Sequence, residues 1–484
     1  MSQPSPFASA TQLARLVAKR DISARELLEL YLARVKKLNP AINAVVVLNA
    51  TAARKRADAL DQLTGKRGAK LGPLHGVPMT VKESFDVKGL PTTLGYTEHA
   101  GSRAKADGLA VKRLQDAGAV VFGKTNVPIR LADFQSYNEI YGTTENPWDK
   151  GRTPGGSSGG SAAALAAGLT GLEIGSDIGG SIRNPAHFCG VFGHKPTWGL
   201  VPMRGHALTG ALTPGDISVI GPLARSATDL ETTLRLMAGP DLLEAAAVRV
   251  ELPALSGPLS ALRIGLWKTD PMCPVSAAVQ ARVEAVAGAL AGQGAKVDDS
   301  ARPAFSAEHS HELFSALLAS AMASRLPDAD FAKLVARAAT LDPADQGAGA
   351  RQIRWQTMRL RDWSAVNEAR TRLRWAWHTF FQQVDFLIAP IMPTTAFAHD
   401  HAALGERRIE IDGVRHPYFM QTFWAGLAGV AYLPATVIPA GCGPDGLPIG
   451  VQIIGPGHGD LRTIQLAQRL EQLGFVFNPP PGCA

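Results

Sequence analysis

The sequence predicts an α/β fold built on a largely parallel sheet, and three observations carry that prediction. Between residues 72 and 222, short apolar runs rich in β-branched residues alternate with amphipathic runs of helical period. The chain has 484 residues, 46% hydrophobic and 19% charged, which is ample apolar material for a large core and too little charge for disorder. No internal repeat or low-complexity linker divides it, so one domain spanning residues 1–484 is the simplest account.

The elements follow in order. Residues 11–38 predict a helix: Ser23 and Glu26 fit a capping box, Leu27, Leu28, Tyr31, Leu32 and Val35 repeat at helical spacing, and Asn39-Pro40 stops the run. A second amphipathic stretch covers residues 52–63. Residues 77–81 and 119–123 read as strands, with a helix over residues 108–117 between them. Residues 263–267 predict a strand and 276–292 an Ala-rich helix. Residues 305–380 read as helical and carry Trp355, Trp363, Trp375 and Trp377; a variable helical insert is expected over about 300–380. Residues 384–389 look like a buried strand ending at Pro390. The tail repeats the pattern, with strands over 435–439 and 447–455 and a helix over 461–473.

Bulk properties exclude several classes. The net charge of +7 is spread along the chain without a basic block, which reads as solubility rather than a nucleic-acid footprint. Cys189, Cys273, Cys442 and Cys483 are far apart and form no CxxC pair, so neither a zinc site nor a disulfide framework is expected, and a reducing cytoplasm fits. Residues 1–11 lack a basic stretch followed by an apolar run, and no apolar run approaches about 18 residues, so neither a signal peptide nor a membrane span is expected.

Two familiar signatures fail on physical grounds. Residues 118–125 match the phosphate-loop pattern, but Val120, Val121 and Phe122 favour a strand where that loop must curl its N–H groups around phosphate. Residues 155–159 match the G-x-S-x-G elbow, but residues 147–154 contain two prolines and no strand to lead into it. His309 and His311 read as a polar helix edge rather than a metal site.

A better set comes from three separate segments. In Gly76-Val77-Pro78-Met79-Thr80-Val81-Lys82-Glu83 an apolar strand runs into a lysine, and burial there favours the neutral amine, a general base. In Gly155-Gly156-Ser157-Ser158-Gly159-Gly160-Ser161 three serines among glycines open an Ala-rich helix over residues 162–167. In Asp177-Ile178-Gly179-Gly180-Ser181-Ile182-Arg183 the glycines let successive N–H groups face one point beside Ser181, and Asp177 with Arg183 can brace the loop.

Together these segments resemble the amidase signature family. The resemblance runs from about residue 8 to residue 475 and is densest over residues 72–222. Lys82 and Ser157 stand 75 residues apart and Ser157 and Ser181 stand 24 apart, as the family's pattern requires. Gly123-Lys124-Thr125-Asn126, Asn146-Pro147-Trp148, Lys195-Pro196-Thr197 and residues 446–452 add matches. The resemblance implies a single large domain with a mixed, mostly parallel twisted central sheet covered by helices on both faces. It implies Ser181 as nucleophile, Ser157 on a cis peptide bond as the bridging serine, and Lys82 as base. The N–H groups of Ile178, Gly179, Gly180 and Ser181 would form the oxyanion hole, with Ser158, Asp177 and Arg183 supporting them. Two departures stand out: Glu83 occupies the place of a usual Asp, and residues 424–434 lack the usual Asn before glycine.

The expected chemistry is amide C–N cleavage through an acyl-enzyme on Ser181, with no metal or cofactor. By family position Leu131 and Ala132 line the acyl pocket, and Trp424 and residues 313–322 add apolar surface. That composition points to hydrophobic or aryl amides, with esters or carbamates as related substrates. The expected partner is a small-molecule amide, with no nucleic acid and no membrane, in a homodimer of the kind common among similar proteins. Two other readings stand beside this one. The first is the glutaminase (A) subunit of a tRNA-dependent amidotransferase, which shares the motifs, although residues 351–374 lack its typical Arg-Arg-Tyr-Val-Leu-Ser-like segment. The second is a non-catalytic binding protein with the same fold.

Overall fold

Caps set the first boundaries. In the computed structural model, which describes residues 4–207 and 209–483, Ser9 and Ser23 each accept a hydrogen bond from the third residue of the helix they open, and Gln12 and Glu26 reach back. The expected helix over 11–38 is therefore two, Ala10–Lys19 and Ala24–Leu38, separated where Arg20 takes a left-handed conformation (φ 63°). Part of the N-terminal stretch read above lies outside the described residues. Among the described residues no helix is long and apolar enough to cross a membrane.

Fifteen strands follow the chain: β1 Val45–Leu48, β2 Pro78–Lys82, β3 Val120–Thr125, β4 Tyr137–Asn138, β5 Gly142–Thr143, β6 Glu173–Asp177, β7 Phe192–Lys195, β8 Val219–Ala224, β9 Arg263–Leu266, β10 Lys296–Asp298, β11 Phe386–Pro390, β12 Arg408–Ile411, β13 Val414–Pro417, β14 Ala435–Cys442 and β15 Pro448–Ile454. Eight form one mixed sheet in the order β10-β9-β11-β15-β14-β7-β8-β6, flanked by helices. A smaller sheet, β1-β3-β2, lies beside it, and β2 touches β6 across the gap.

The α/β class and the mixed sheet agree with expectation, but the mostly parallel pairing does not. In the large sheet only β9–β10 and β9–β11 are parallel; β11–β15, β14–β15, β7–β14, β7–β8 and β6–β8 are antiparallel. A fully buried strand such as Phe386–Pro390 shows the same apolar run whichever way it points, and β14 and β15 are joined by a short loop that forces reversal. The helical region from 305 breaks into Ala307–Ala323, Asp328–Ala339, Ala348–Gln356 and Leu360–Gln383, the first break falling at Pro327. One continuous core links the N-terminal helices, both sheets and the last helix, Asp460–Gln472.

The phosphate-loop match resolves as expected from its side chains. Residues 120–125 are β3, buried throughout, and Lys124 Nζ donates to the Pro91 carbonyl and to Thr92 Oγ1 (3.1 Å).

Candidate active site

Lys82 ends β2 beside Thr125 of β3, with its side chain fully buried. Its Nζ lies 2.7 Å from Ser157 Oγ and 2.9 Å from Ser176 Oγ, and it joins no ion pair. Burial lowers the amine to about 7, against the pull of Asp177 and Glu173 and with help from the cation of Arg325. Glu173 is itself buried, which raises its carboxyl to about 8 although Thr80 Oγ1 donates to it at 2.5 Å. At neutral pH that acid is mostly protonated and gives Lys82 little counter-charge.

Two other buried lysines show what is particular about Lys82. Burial lowers Lys195 to about 7 and Lys124 to about 8. Lys195 Nζ donates to the carbonyls of Pro196 (2.9 Å) and Leu433 (2.7 Å), and Lys124 to Pro91 and Thr92. Of the three, only Lys82 meets a serine hydroxyl at the cleft.

The serine segment folds as its composition suggests. The Gly156–Ser157 peptide is cis, and helix Gly159–Ala166 begins just after it. Glycines here permit close backbone approach: a Cβ on Gly156 would lie 2.3 Å from the Asp133 carbonyl, and one on Gly160 would lie 2.4 Å from Asn126 N. The Ser158 N–H donates to the Ser181 carbonyl at 3.1 Å, so the serine segment abuts the nucleophile loop.

That loop follows β6. Asp177 and Arg183, both with fully buried side chains, form a two-point pair, with Nη2 to Oδ1 at 2.9 Å and Nε to Oδ2 at 3.0 Å. Burial alone would raise the Asp177 carboxyl, but Arg183 outweighs it and holds it near about 2. Arg183 Nη1 also donates to Gln452 Oε1 and the Ala425 carbonyl, each at 3.1 Å, which ties the late 446–452 motif to the loop. Gly180 has φ 111°, a region L side chains rarely adopt.

The expected oxyanion donors need one correction. The Gly180 N–H already donates to Asp177 Oδ1 at 2.9 Å. The carboxylate that braces the loop consumes that donor, leaving the N–H groups of Ile178, Gly179 and Ser181.

Ser181, 6% exposed, opens on a narrow cleft of about 270 Å³, counting its open mouth, whose walls include Ser157, Ser176, Leu131, Ile178 and Arg325. No hydrogen bond joins the hydroxyls of Ser157 and Ser181 directly; such contacts commonly tighten only when substrate binds. Leu131 is where the sequence reading put it. Ala132 does not line the cleft, and Trp424 lies wholly in the core, with its indole N–H donating to the Cys273 carbonyl at 3.2 Å. An apolar helix position looks the same in sequence whether it faces a cleft or a core.

The sequence reading missed Ser176, His206, Ser218, Met322, Arg130 and Arg325, all at this cleft. Ser176 could have been found, because it immediately precedes Asp177 in the motif already singled out; the others carry no local pattern. His206 is held neutral, since burial, aided by Lys82 and Arg325, pushes its pKa well below the ordinary value. A larger groove of about 1140 Å³, bordered by Arg374, Trp375, His378 and Leu433, holds no paired nucleophile and base.

Known proteins support the assignment by family. The model of the amidase family matches residues 26–464. The glutamyl-tRNA(Gln) amidotransferase chain of type A from Acidothermus cellulolyticus is 33% identical over 490 residues, covering 96% of this chain and 94% of its own. A solved structure described as an unexpected vestigial protein complex that reveals the evolutionary origins of an s-triazine catabolic enzyme is 32% identical with a TM-score of 0.81, covering 98% of this chain and 100% of that one. A bacterial aryl acylamidase of the amidase signature enzymes is 26% identical with a TM-score of 0.80, covering 96% of each chain. The chain belongs to the amidase signature family.

Proposed function

We propose that the protein cleaves a carboxylic amide through an acyl-enzyme on Ser181, with Ser157 relaying protons to Lys82. The observation that carries this reading is the buried Lys82 amine, lowered to about 7 and 2.7 Å from Ser157 Oγ. When the amine is neutral, that contact reverses and the Ser157 hydroxyl donates to the nitrogen lone pair. Ser176 then orients the amine as acceptor of one of its N–H bonds.

The steps balance. As Ser181 Oγ attacks the carbonyl carbon, its proton passes to Ser157 Oγ and the Ser157 proton passes to Lys82. The oxyanion lies against the N–H groups of Ile178, Gly179 and Ser181, where loss of one donor typically costs about 3 kcal/mol. As the C–N bond breaks, the leaving nitrogen takes the proton back through Ser157. Water then attacks the acyl-enzyme, giving up its proton along the same relay, and the acid departs.

Two substrate readings remain, and the likenesses weigh them unequally. Similarity to the glutaminase chains of glutamyl-tRNA(Gln) amidotransferases over 96% of the chain supports ammonia release from a primary amide, in a complex with other subunits. The likeness to an aryl acylamidase, at 26% identity, and the apolar side chains of Leu131, Ile178 and Met322 give weaker support to hydrophobic or aryl amides. The test measures ammonia from glutamine and aniline from an anilide with wild type and Ser181→Ala. The proposal expects both activities to vanish in the variant; retained turnover would contradict it. Ammonia release without anilide cleavage would support the amidotransferase reading, and the reverse would support aryl amides.

A further inference from the structure

Arg325 sits in the turn between helices Ala307–Ala323 and Asp328–Ala339 and lines the same cleft as Ser157 and Ser181. Its guanidinium is largely buried, and burial is the sole influence on its pKa, pulling it down. Among the described residues it makes no side-chain hydrogen bond and no ion pair. The acids on the flanking segments are already taken. Asp216 accepts from Arg370 at 2.8 and 2.9 Å and from Tyr432 Oη. Asp330 pairs with Arg130 (3.5 Å) and Lys333 (3.3 Å). The space for the guanidinium is kept by Gly215, where a Cβ would lie 2.8 Å from Nη2.

A largely buried cation with no counter-charge is costly, and the cost falls when an anion arrives. A guanidinium presents a planar fork of donors that matches a carboxylate at two points. Beside it, His206 uses Nε2 with Ser84 Oγ (3.1 Å) and leaves Nδ1 buried without a partner. The apolar walls, Leu131, Ile178 and Met322, suit methylene groups between a charged end and a reacting end.

We infer that the substrate of this site carries a carboxylate, held at two points by Arg325, so that the amide presented to Ser181 belongs to an amide-bearing acid. The inference rests on the reading of Ser181 as nucleophile, and it assigns to Arg325 the choice of acyl group. It also narrows the substrate class away from uncharged aryl amides.

The test uses succinamic acid, glutaramic acid, asparagine and glutamine, each against its methyl ester or uncharged amide of equal length. Wild type is expected to favour the best acid by about 10- to 100-fold in kcat/KM. Arg325→Met should erase that preference while changing the uncharged partner less than about threefold, and Arg325→Lys should keep part of it. A second readout separates binding from mere structure. The charged or titratable groups acting on Lys82 are Asp177, Glu173 and Arg325, and Arg325 is the cation that lowers it. Removing Arg325 should therefore move the acidic limb of kcat/KM on an uncharged amide to higher pH.

Equal turnover of charged and uncharged amides by wild type would overturn the inference, as would an equal loss on both in Arg325→Met. If Arg325→Met fails to fold, the wild-type preference and Arg325→Lys decide. Calorimetry of the four acids on Ser181→Ala tests the anchor without turnover, and no binding by any of them counts against it. Retained turnover in Ser181→Ala would instead defeat the nucleophile reading, leaving the Arg325 comparison to be judged by itself.

Discussion

Replacing Lys82 by methionine should cost the protein its activity and relieve it of a buried charge. The fall of the Lys82 amine from 10.5 to about 7, at 1.36 kcal/mol per pH unit, means that burying it costs the fold about 5 kcal/mol when both states are protonated. Against this, methionine leaves the hydroxyls of Ser157 and Ser176 without a partner, at about 1–2 kcal/mol each. The variant should therefore be as stable as wild type at pH 7, or more stable by about 1–3 kcal/mol. The sign with pH is fixed by linkage. Between pH 7 and 10.5 the unfolded lysine holds a proton that the folded one has lost, so wild type gains stability as pH rises through that window. Lys82→Met lacks this gain. Urea unfolding of both proteins at pH 7 and at pH 9.5 should show wild type gaining about 3 kcal/mol on the variant. Parallel behaviour, or a variant several kcal/mol less stable at pH 7, would refute the buried neutral amine. Amide turnover should fall by about 10²–10⁴-fold in the same variant, with loss of the acidic limb centred near pH 7.

Other expectations follow from the same geometry. Asp177→Asn leaves Arg183 buried without its charged partner and should cost about 3–5 kcal/mol in unfolding free energy; an unchanged melting temperature would contradict the bracing role. Glu173→Gln should remove a pH dependence. The folded acid holds its proton up to about 8 while the unfolded one releases it near 4.5, so wild type should lose stability relative to the variant as pH rises from 4.5 to 8, by about 4–5 kcal/mol in paired unfolding curves. Trp424→Phe should lose about 1 kcal/mol with its hydrogen bond to Cys273 and leave KM within threefold; a larger change in KM would return Trp424 to the substrate pocket.

The three segments that meet at Lys82, Ser157 and Ser181 were legible because each carries a chemical oddity in its own few residues: a lysine ending an apolar strand, serines crowded by glycines, and a glycine pair between acid and base. The capped helix at Ser23 and strands such as Val120–Thr125 were legible for a similar reason, since caps and β-branched runs are local signals. Strand direction was not, because β6, β7 and β8 pair antiparallel through long connections whose routes no short pattern records. The commitment of the Gly180 N–H to Asp177 was hidden because side-chain to backbone bonds within a loop depend on its three-dimensional turn. Arg325 was unreadable for a different reason. An arginine after a helix normally points to water, and only the packing of that turn over the cleft, with Asp216 and Asp330 occupied elsewhere, makes it unusual.

The most direct measurement is reaction with a fluorophosphonate followed by peptide mapping by mass spectrometry. One adduct is expected per chain, on Ser181, forming fastest above about pH 7 and failing to form in Lys82→Met. An adduct on another residue, or labelling of Ser181 that is indifferent to Lys82, would contradict the proposal that this buried amine activates this serine.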